Sequence, residues 1–298
     1  MISFAQRLFA AAAQKRSSVC VGIDPRLASL PGTMRNVARG DAAAQAAAFE
    51  EFSVGVLDAV APTAVAVKPQ AAFFERLRAP GFAAYERVCR AARDRGLLVV
   101  ADVKRGDIGT TAEAYAEAFL GGDEFAPMAD ACTVNAYLGS DGVRPFVQQA
   151  LRHQGGLFVL VKTSNKSSSE FQDIDCSGAP AYERMAQLVN SWNTPADTTG
   201  YGSVGAVVGA TWPDHLRRLR QLLPASVLLL PGYGAQGAGA ADVVPGFDAT
   251  GRGALVTASR SVTFPWGDGT APSDWRGMVA EAAEKMRAEI AAALDRSG

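Results

Sequence analysis

Short runs of branched apolar residues recur along the chain at 19–23, 64–67, 97–101, 131–135, 157–161, 204–208, 227–230 and 254–257. Few polar residues interrupt them, so they read as strands buried on both faces, not as the half-exposed strands of an antiparallel sheet. Between them, apolar positions recur near the 3.6-residue period over 42–60, 82–95, 111–120, 142–153, 181–191, 213–223 and 273–294, with a weaker helical segment at 237–244. A short amphipathic helix at 4–13 precedes the first strand. Strand followed by helix, eight times over, predicts an α/β protein whose parallel sheet is covered by helices, and in a chain of 298 residues it points to a (β/α)8 TIM barrel. No linker-like shift in composition divides the chain, so residues 1–298 are expected to form one barrel domain. A doubly wound open sheet is the alternative, because strand count alone does not establish closure. The least regular stretches, 164–179 and 232–252, each follow a predicted strand and are therefore expected at the C-terminal mouth, where lids are commonly built.

Composition narrows the partners. With 48% hydrophobic and 20% charged residues the chain can bury a full core, and its formal net charge of −1 gives no general basic field for nucleic acid or an anionic membrane. Any positive charge that matters must be local, which leaves a small anionic ligand open. Cys20, Cys89, Cys132 and Cys176 lie far apart with no C-x-x-C pair. That argues against a zinc site or a redox pair and suits a reducing compartment. Cys20 and Cys132 fall in apolar runs and are expected to be buried. Arg7 interrupts the alanine-rich N-terminal segment, which therefore reads as a helix and not a signal. No stretch reaches the roughly 20 apolar residues of a membrane span, so a cytoplasmic location is expected. His153 and His215 sit in polar surroundings and are expected at the surface. No G-x-S-x-G elbow, P-loop or dinucleotide fingerprint is present, so triads and nucleotide-triphosphate chemistry lack support.

In a barrel every strand opens onto one mouth, so the polar residues that follow the apolar runs belong together. The third run leads into Ala101-Asp102-Val103-Lys104-Arg105-Gly106-Asp107-Ile108. Strand alternation sends Asp102 and Lys104 to the same side, and Asp107 lies beyond Gly106, where the chain is free to turn. Strand one delivers Asp24, strand two Lys68, strand four Asn135, and strand five Thr163 and Ser164. Strand six, ending Gly209-Ala210-Thr211, offers little. Strand seven leads into Pro231-Gly232-Tyr233-Gly234-Ala235-Gln236-Gly237 and strand eight into Ser259-Arg260-Ser261. Glycines that let backbone N–H groups approach, the Gln236 amide and the Arg260 cation suit a phosphate, and many barrels bind one after strands seven and eight. A plain flexible loop is the competing reading of the glycine cluster. Lys68, Asp102 and Lys104, extended by Asp107, form an alternating row of charges. Opposite charges about 4 Å apart attract by ~4 kcal/mol at an effective dielectric near 20, enough to keep such a row ionised at neutral pH. A structural ion-pair network at the rim is the alternative to a reacting site.

The ordered set formed by Asp102-x-Lys104-x-x-Asp107-Ile108-x-x-Thr111, Gly22-Ile23-Asp24-Pro25, Val67-Lys68-Pro69, Thr163-Ser164-Asn165 and Pro231-Gly232-Tyr233-Gly234-Ala235-Gln236-Gly237 resembles the orotidine 5′-phosphate decarboxylases. The resemblance runs from strand one to strand eight. The polar insertion after Asn165 and the Ser259-Arg260 ending look like the longer bacterial branch. It implies that Lys104 is the proton donor to the carbon that loses carbon dioxide, that Asp102 faces the departing carboxylate, and that Lys68 and Asp107 complete a charged tetrad. It further implies that Asp24 and Thr111 hold ribose hydroxyls, Ser164 the pyrimidine, and Gln236 with Arg260 the phosphate, with Ser259 beside it. In that family the residues matching Asp107 and Thr111 reach a neighbouring subunit's site, so the resemblance implies a homodimer with shared active sites. No cofactor and no metal is expected, and the partner is the small-molecule substrate, not nucleic acid or membrane. Ser259, where shorter relatives carry glycine, and Lys162, where arginine is expected, depart from the pattern.

Decarboxylation at this ring position leaves an electron pair on carbon without a conjugated sink, so electrostatics must carry the reaction. An ammonium held between carboxylates stabilises that charge and can then protonate it. Two rival readings remain at this level: a metal-dependent keto-sugar-phosphate decarboxylase or synthase of the same superfamily, and a non-catalytic barrel that binds a nucleoside monophosphate. The first is disfavoured by a lysine at position 68, where those relatives place an acid that helps bind magnesium.

Overall fold

The run at 19–23 forms β1 (Val19–Ile23) and the last run forms β8 (Ala254–Ala258). These strands, first and last in the chain, pair in parallel through Val19 with Val256 and Cys20 with Thr257, which closes the sheet and rules out the open-sheet alternative. Between them, in order around the barrel, come β2 (Ala66–Pro69), β3 (Leu98–Arg105), β4 (Ala131–Val134), β5 (Gly156–Lys162), β6 (Val204–Val208) and β7 (Leu228–Pro231). The structure is a computed structural model and describes residues 2–38, 40–195, 197–267 and 271–297.

Every residue of β1, β6 and β8 is buried, because one face meets the barrel interior and the other the surrounding helices. Two apolar cores result. The larger lies between the outward faces of the strands and the helices, with Phe49, Phe52, Phe74, Tyr85 and Phe146 among its fully buried side chains. The smaller fills the barrel axis with Cys20, Ala66, Val100, Ala131, Phe158, Val227 and Leu255. The N-terminal helix Phe4–Lys15 joins this inner core at the bottom of the barrel, where Phe4 meets Phe158 edge to face with ring centroids 6.0 Å apart. Its start is fixed by a capping box, the Ser3 hydroxyl accepting the Gln6 N–H while the Gln6 side chain accepts the Ser3 N–H.

The long helices occur where the 3.6 period placed them, including Ala42–Val60, Gly109–Leu120, Ser140–Arg152, Ala181–Trp192, Pro213–Leu222 and Trp275–Asp295. The predicted 82–95 helix starts earlier, as Arg78–Asp94. The weak 237–244 segment shrinks to one turn, Ala240–Val243, followed by the 3-10 turn Val244–Gly246, because Gly237 and Gly239 precede it and Pro245 stops it. Short helices at Gly32–Val37, Ala71–Glu75, Ser169–Gln172 and Arg260–Thr263 are too brief for periodicity to register.

Two strands differ from expectation in ways that shape the mouth. β2 runs to Pro69 and β3 to Arg105, so Lys68, Asp102 and Lys104 lie within strands and not after them. Charged residues are tolerated there because they neutralise one another. In the β3–β4 pairing, Ala101 faces Cys132 and the next partner of Val134 is Arg105, so β3 carries extra residues beside Thr133. In β5, a similar shift separates Leu160, paired with Val207, from Lys162, paired with Val208.

Candidate active site

One inward-facing residue from each of seven strands forms the floor of a cavity at the C-terminal end of the barrel: Lys68, Asp102, Thr133, Leu160, Val207, Leu229 and Thr257. Asp24 and Arg26 from beyond β1, the segment Thr163–Asn165 beyond β5, the glycine loop beyond β7, and Ser259 with Arg260 beyond β8 raise its walls around about 650 Å³. Four cationic side chains, Arg26, Lys68, Lys104 and Arg260, face two carboxylates, Asp24 and Asp102. The cavity is therefore net positive although the chain is not, as an anionic ligand requires.

Asp102 is the centre of this arrangement. Lys68 and the Gln70 amide, the latter at 3.0 Å, donate to its Oδ2, while Lys104 and the Thr133 hydroxyl, the latter at 3.0 Å, donate to its Oδ1. Burial by itself would raise the Asp102 carboxyl, but the charges of Lys68 and Lys104 and their hydrogen bonds hold it well below the usual carboxylate range. Burial likewise works against the Lys68 ammonium, yet Asp102 and then Asp24 outweigh it and raise Lys68 above an ordinary lysine. The two lysines differ in access: the Lys68 side chain is 9% exposed and that of Lys104 is 45% exposed. Lys68 is fixed behind the carboxylate, and Lys104 is the ammonium that a ligand in the mouth can reach. Beyond it, Arg105 turns outward to pair with Glu75 and lies over Tyr115 at 5.5 Å and Phe119 at 5.8 Å, which anchors the end of β3.

At the other end of the cavity, Gly234 has a φ of +72°, and a Cβ there would come within 2.6 Å of the Ser261 hydroxyl. Glycine is needed on both counts for the loop that carries Gln236. Ser259 is accommodated by Gly22 on β1, where any Cβ would collide with the Ser259 side chain. Among the described residues no carboxylate pairs with Arg260, and the buried Asp24 Oδ1 and Thr257 Oγ1 have no hydrogen-bond partner. Unpartnered polar groups around a cavity are what a polar ligand satisfies.

The family model described as orotidine 5′-phosphate decarboxylase / HUMPS matches residues 17–264. The chain belongs to this family. Orotidine 5′-phosphate decarboxylase of Rhodopirellula baltica is 43% identical over 97% of this chain and 99% of its own length. That of Deinococcus radiodurans is 45% identical, with 98% of each chain covered. Among solved structures, a putative orotidine-monophosphate decarboxylase from Toxoplasma gondii superposes with a TM-score of 0.82 at 34% identity, covering 99% of this chain and 98% of that one. The OMP decarboxylase of Leishmania donovani gives 0.76 at 34% identity, covering 99% of both.

In this decarboxylase-family barrel, eight of the ten residues named from sequence line the one cavity: Asp24, Lys68, Asp102, Lys104, Ser164, Gln236, Ser259 and Arg260. Asp107 and Thr111 do not. The Asp107 carboxylate turns back to accept the Ile108 N–H at 2.8 Å, and Thr111 is exposed on the Gly109–Leu120 helix. Asn135 also stays outside and accepts the Tyr137 N–H. His153 and His215 lie outside the cavity as well, but both are half-buried, and His215 packs against Tyr182 with ring centroids 5.1 Å apart.

Lys162 does not enter the mouth. The irregularity after Leu160 turns its side chain outward, where it is 1% exposed, pairs with Asp173 at 2.5 Å and lies over the Tyr182 and Trp212 rings at 5.5 and 5.7 Å. Beside it, Gln172 accepts the Thr163 N–H at 2.9 Å and donates to the Thr163 hydroxyl at 2.7 Å. The polar insertion is thus clipped to β5 on both sides of the residues that wall the cavity. Gln70, Thr133 and Arg26 were not singled out from sequence, although strand alternation places Gln70 two residues past Lys68 and Arg26 two past Asp24. Thr133 reads as an ordinary strand residue until its neighbour is known.

Proposed function

We propose that this protein decarboxylates orotidine 5′-phosphate to uridine 5′-phosphate and carbon dioxide, the final step of UMP biosynthesis, with Lys104 as the proton donor. The observation that carries the reading is the Asp102 carboxylate gripped by Lys68 and Lys104 inside a net-positive cavity whose far end suits a phosphate. The bond from the ring to the substrate carboxylate breaks, its electron pair stays on the ring carbon, and carbon dioxide leaves. The Lys104 ammonium, already oriented by Asp102, stabilises that charge and then transfers a proton to it, and solvent reprotonates the amine. Asp102 faces the departing carboxylate. Leu160, Val207 and Leu229 give the cavity apolar surface that does not compete for the charged group but tolerates neutral carbon dioxide. Asp24 holds a ribose hydroxyl, Ser164 the pyrimidine, and Gln236, Arg260 and the backbone at Ser259 the phosphate. That remote grip supplies binding energy to orient the reacting carbon.

Asp107 and Thr111 serve the site of a second subunit in a homodimer. Their position outside their own cavity supports this, as does the exposed apolar surface beside them: Ile108 at 52%, Tyr137 at 73% and Leu138 at 49% exposure. A Cβ at Gly142 would meet both the Asp107 carbonyl and Leu138, so these segments adjoin. A cytoplasmic setting is supported by the four free thiols, and no described helix is long and apolar enough to cross a membrane.

The test is a direct assay with orotidine 5′-phosphate in excess chelator. Metal-independent loss of substrate absorbance with release of carbon dioxide is expected. Activity that appears only with added magnesium would sink the cofactor-independent reading, and tight binding without turnover would favour a nucleotide-binding barrel.

A further inference from the structure

We propose that Thr133 is a positioning residue for proton delivery, holding the turn of β3 that aims Lys104 into the cavity. Lys104 has a φ of +44°, a left-handed conformation that costs a non-glycine residue about 1 kcal/mol or more and persists only where its surroundings enforce it. It sits inside the irregularity at which β3 carries extra residues against β4. There the backbone N–H groups of Val103 and Lys104 bond to the Thr133 hydroxyl, at 3.0 and 2.9 Å. The same hydroxyl donates to Asp102 Oδ1 at 3.0 Å, the oxygen that also receives Lys104 Nζ.

A threonine hydroxyl has one hydrogen to give and two lone pairs to accept with, and here all three are used. One atom thus fixes both ends of the Lys104 side chain: the backbone from which it starts and the carboxylate on which it rests. Thr133 is 1% exposed, so water cannot readily replace it. Removing the hydroxyl takes the acceptor from the buried Val103 N–H and the partly buried Lys104 N–H and frees the backbone to leave the left-handed region, carrying Nζ away from the reacting carbon.

This inference rests on the decarboxylase reading and is tested by Thr133→Val, which keeps the shape and loses the hydroxyl, beside Thr133→Ser, which keeps the hydroxyl and loses the methyl. Displacing a reacting group by about 1 Å costs on the order of 100-fold, so Thr133→Val should lose roughly 10- to 100-fold in kcat with KM changed less than about 3-fold. Thr133→Ser should stay within about 3-fold of wild type, and inhibition by uridine 5′-monophosphate should be nearly unchanged in both, since its phosphate grip is remote from β3. Where Thr133→Val does not fold, Thr133→Ala removes the hydroxyl without adding bulk and the same loss is expected. Full kcat in either hydroxyl-less variant would overturn the proposal, as would a Thr133→Ser variant as impaired as Thr133→Val, which would make the methyl group responsible. Wild-type protein inert toward orotidine 5′-phosphate would instead overturn the decarboxylase reading itself.

Discussion

Lys68 on β2 donates to Oδ2 of Asp102 on β3, and both side chains are almost wholly withdrawn from solvent. A buried charge pair is a poor source of net stability but a costly thing to break, because the surviving partner is left uncompensated. The pair therefore fixes the carboxylate that in turn orients Lys104. Its cost of assembly is shared by Gln70 and Thr133, which satisfy the remaining acceptor positions.

Asp102→Asn should lower stability at pH 7 by about 3 kcal/mol, the usual scale for breaking a buried pair. The carboxyl is depressed in the folded state, so its stabilisation is complete above the ordinary value of 3.8 and is lost as pH falls below it toward the folded value. Lys68 is raised, so its share persists below the ordinary 10.5 and is lost only as pH rises beyond it. Urea unfolding of wild type and variant should give a gap that is constant between about pH 5 and 9 and narrows in stronger acid. A gap that already closes between pH 7 and 5 would contradict the depressed carboxyl.

Lys104→Ala should lose at least about 1000-fold in kcat, because in the proposed reaction it removes both the cation that stabilises the developing charge and the proton that quenches it. Arg260→Ala should instead raise KM by roughly 10- to 100-fold, the worth of a charge-assisted phosphate contact. Steady-state kinetics separates the two. Comparable kcat losses in both variants would place Arg260 nearer the chemistry than its position beyond β8 allows.

Mixing Asp107→Ala with Lys104→Ala, each expected to be inactive alone, tests the proposed shared site. If Asp107 crosses the subunit boundary, one of the two sites in each mixed dimer combines an intact Lys104 with an intact Asp107, and statistical exchange should restore up to about a quarter of wild-type activity. No recovery after verified subunit exchange would place Asp107 in its own chain's site.

Lys162→Met should leave Asp173 without its partner and loosen the insertion that presents Ser164. A roughly tenfold rise in KM, about 1.4 kcal/mol, is expected with kcat less affected, together with faster proteolysis within 164–179. Lys162→Arg should restore both, since a guanidinium can stack on the same aromatic rings and pair with the same carboxylate. Unchanged proteolysis in Lys162→Met would show that the Gln172–Thr163 contacts hold the segment alone.

Much of this was legible in the chain. Continuous apolar runs separated by amphipathic helices fix the number of βα units, because a strand buried on both faces has little choice of residue. Strand alternation predicts Asp102 and Lys104 on one side, and the order of polar residues after the runs brings eight of the ten named residues to one cavity. Gln70 and Thr133 were hidden because their roles depend on a partner strand: each is a neutral side chain whose significance comes from the carboxylate it meets across the sheet.

Local pattern determined that there would be eight strands, that they would be parallel, and which residues would crowd their C-terminal ends. Only tertiary structure decided where the regular alternation breaks. The shift in β5 sends Lys162 outward against Tyr182 and Trp212, although counting from Leu160 would have pointed it into the mouth. The extra residues in β3 turn Lys104 onto Asp102. Register between strands is set by closure of the whole barrel and by the groups that cap each irregularity, and neither is a property of any one segment.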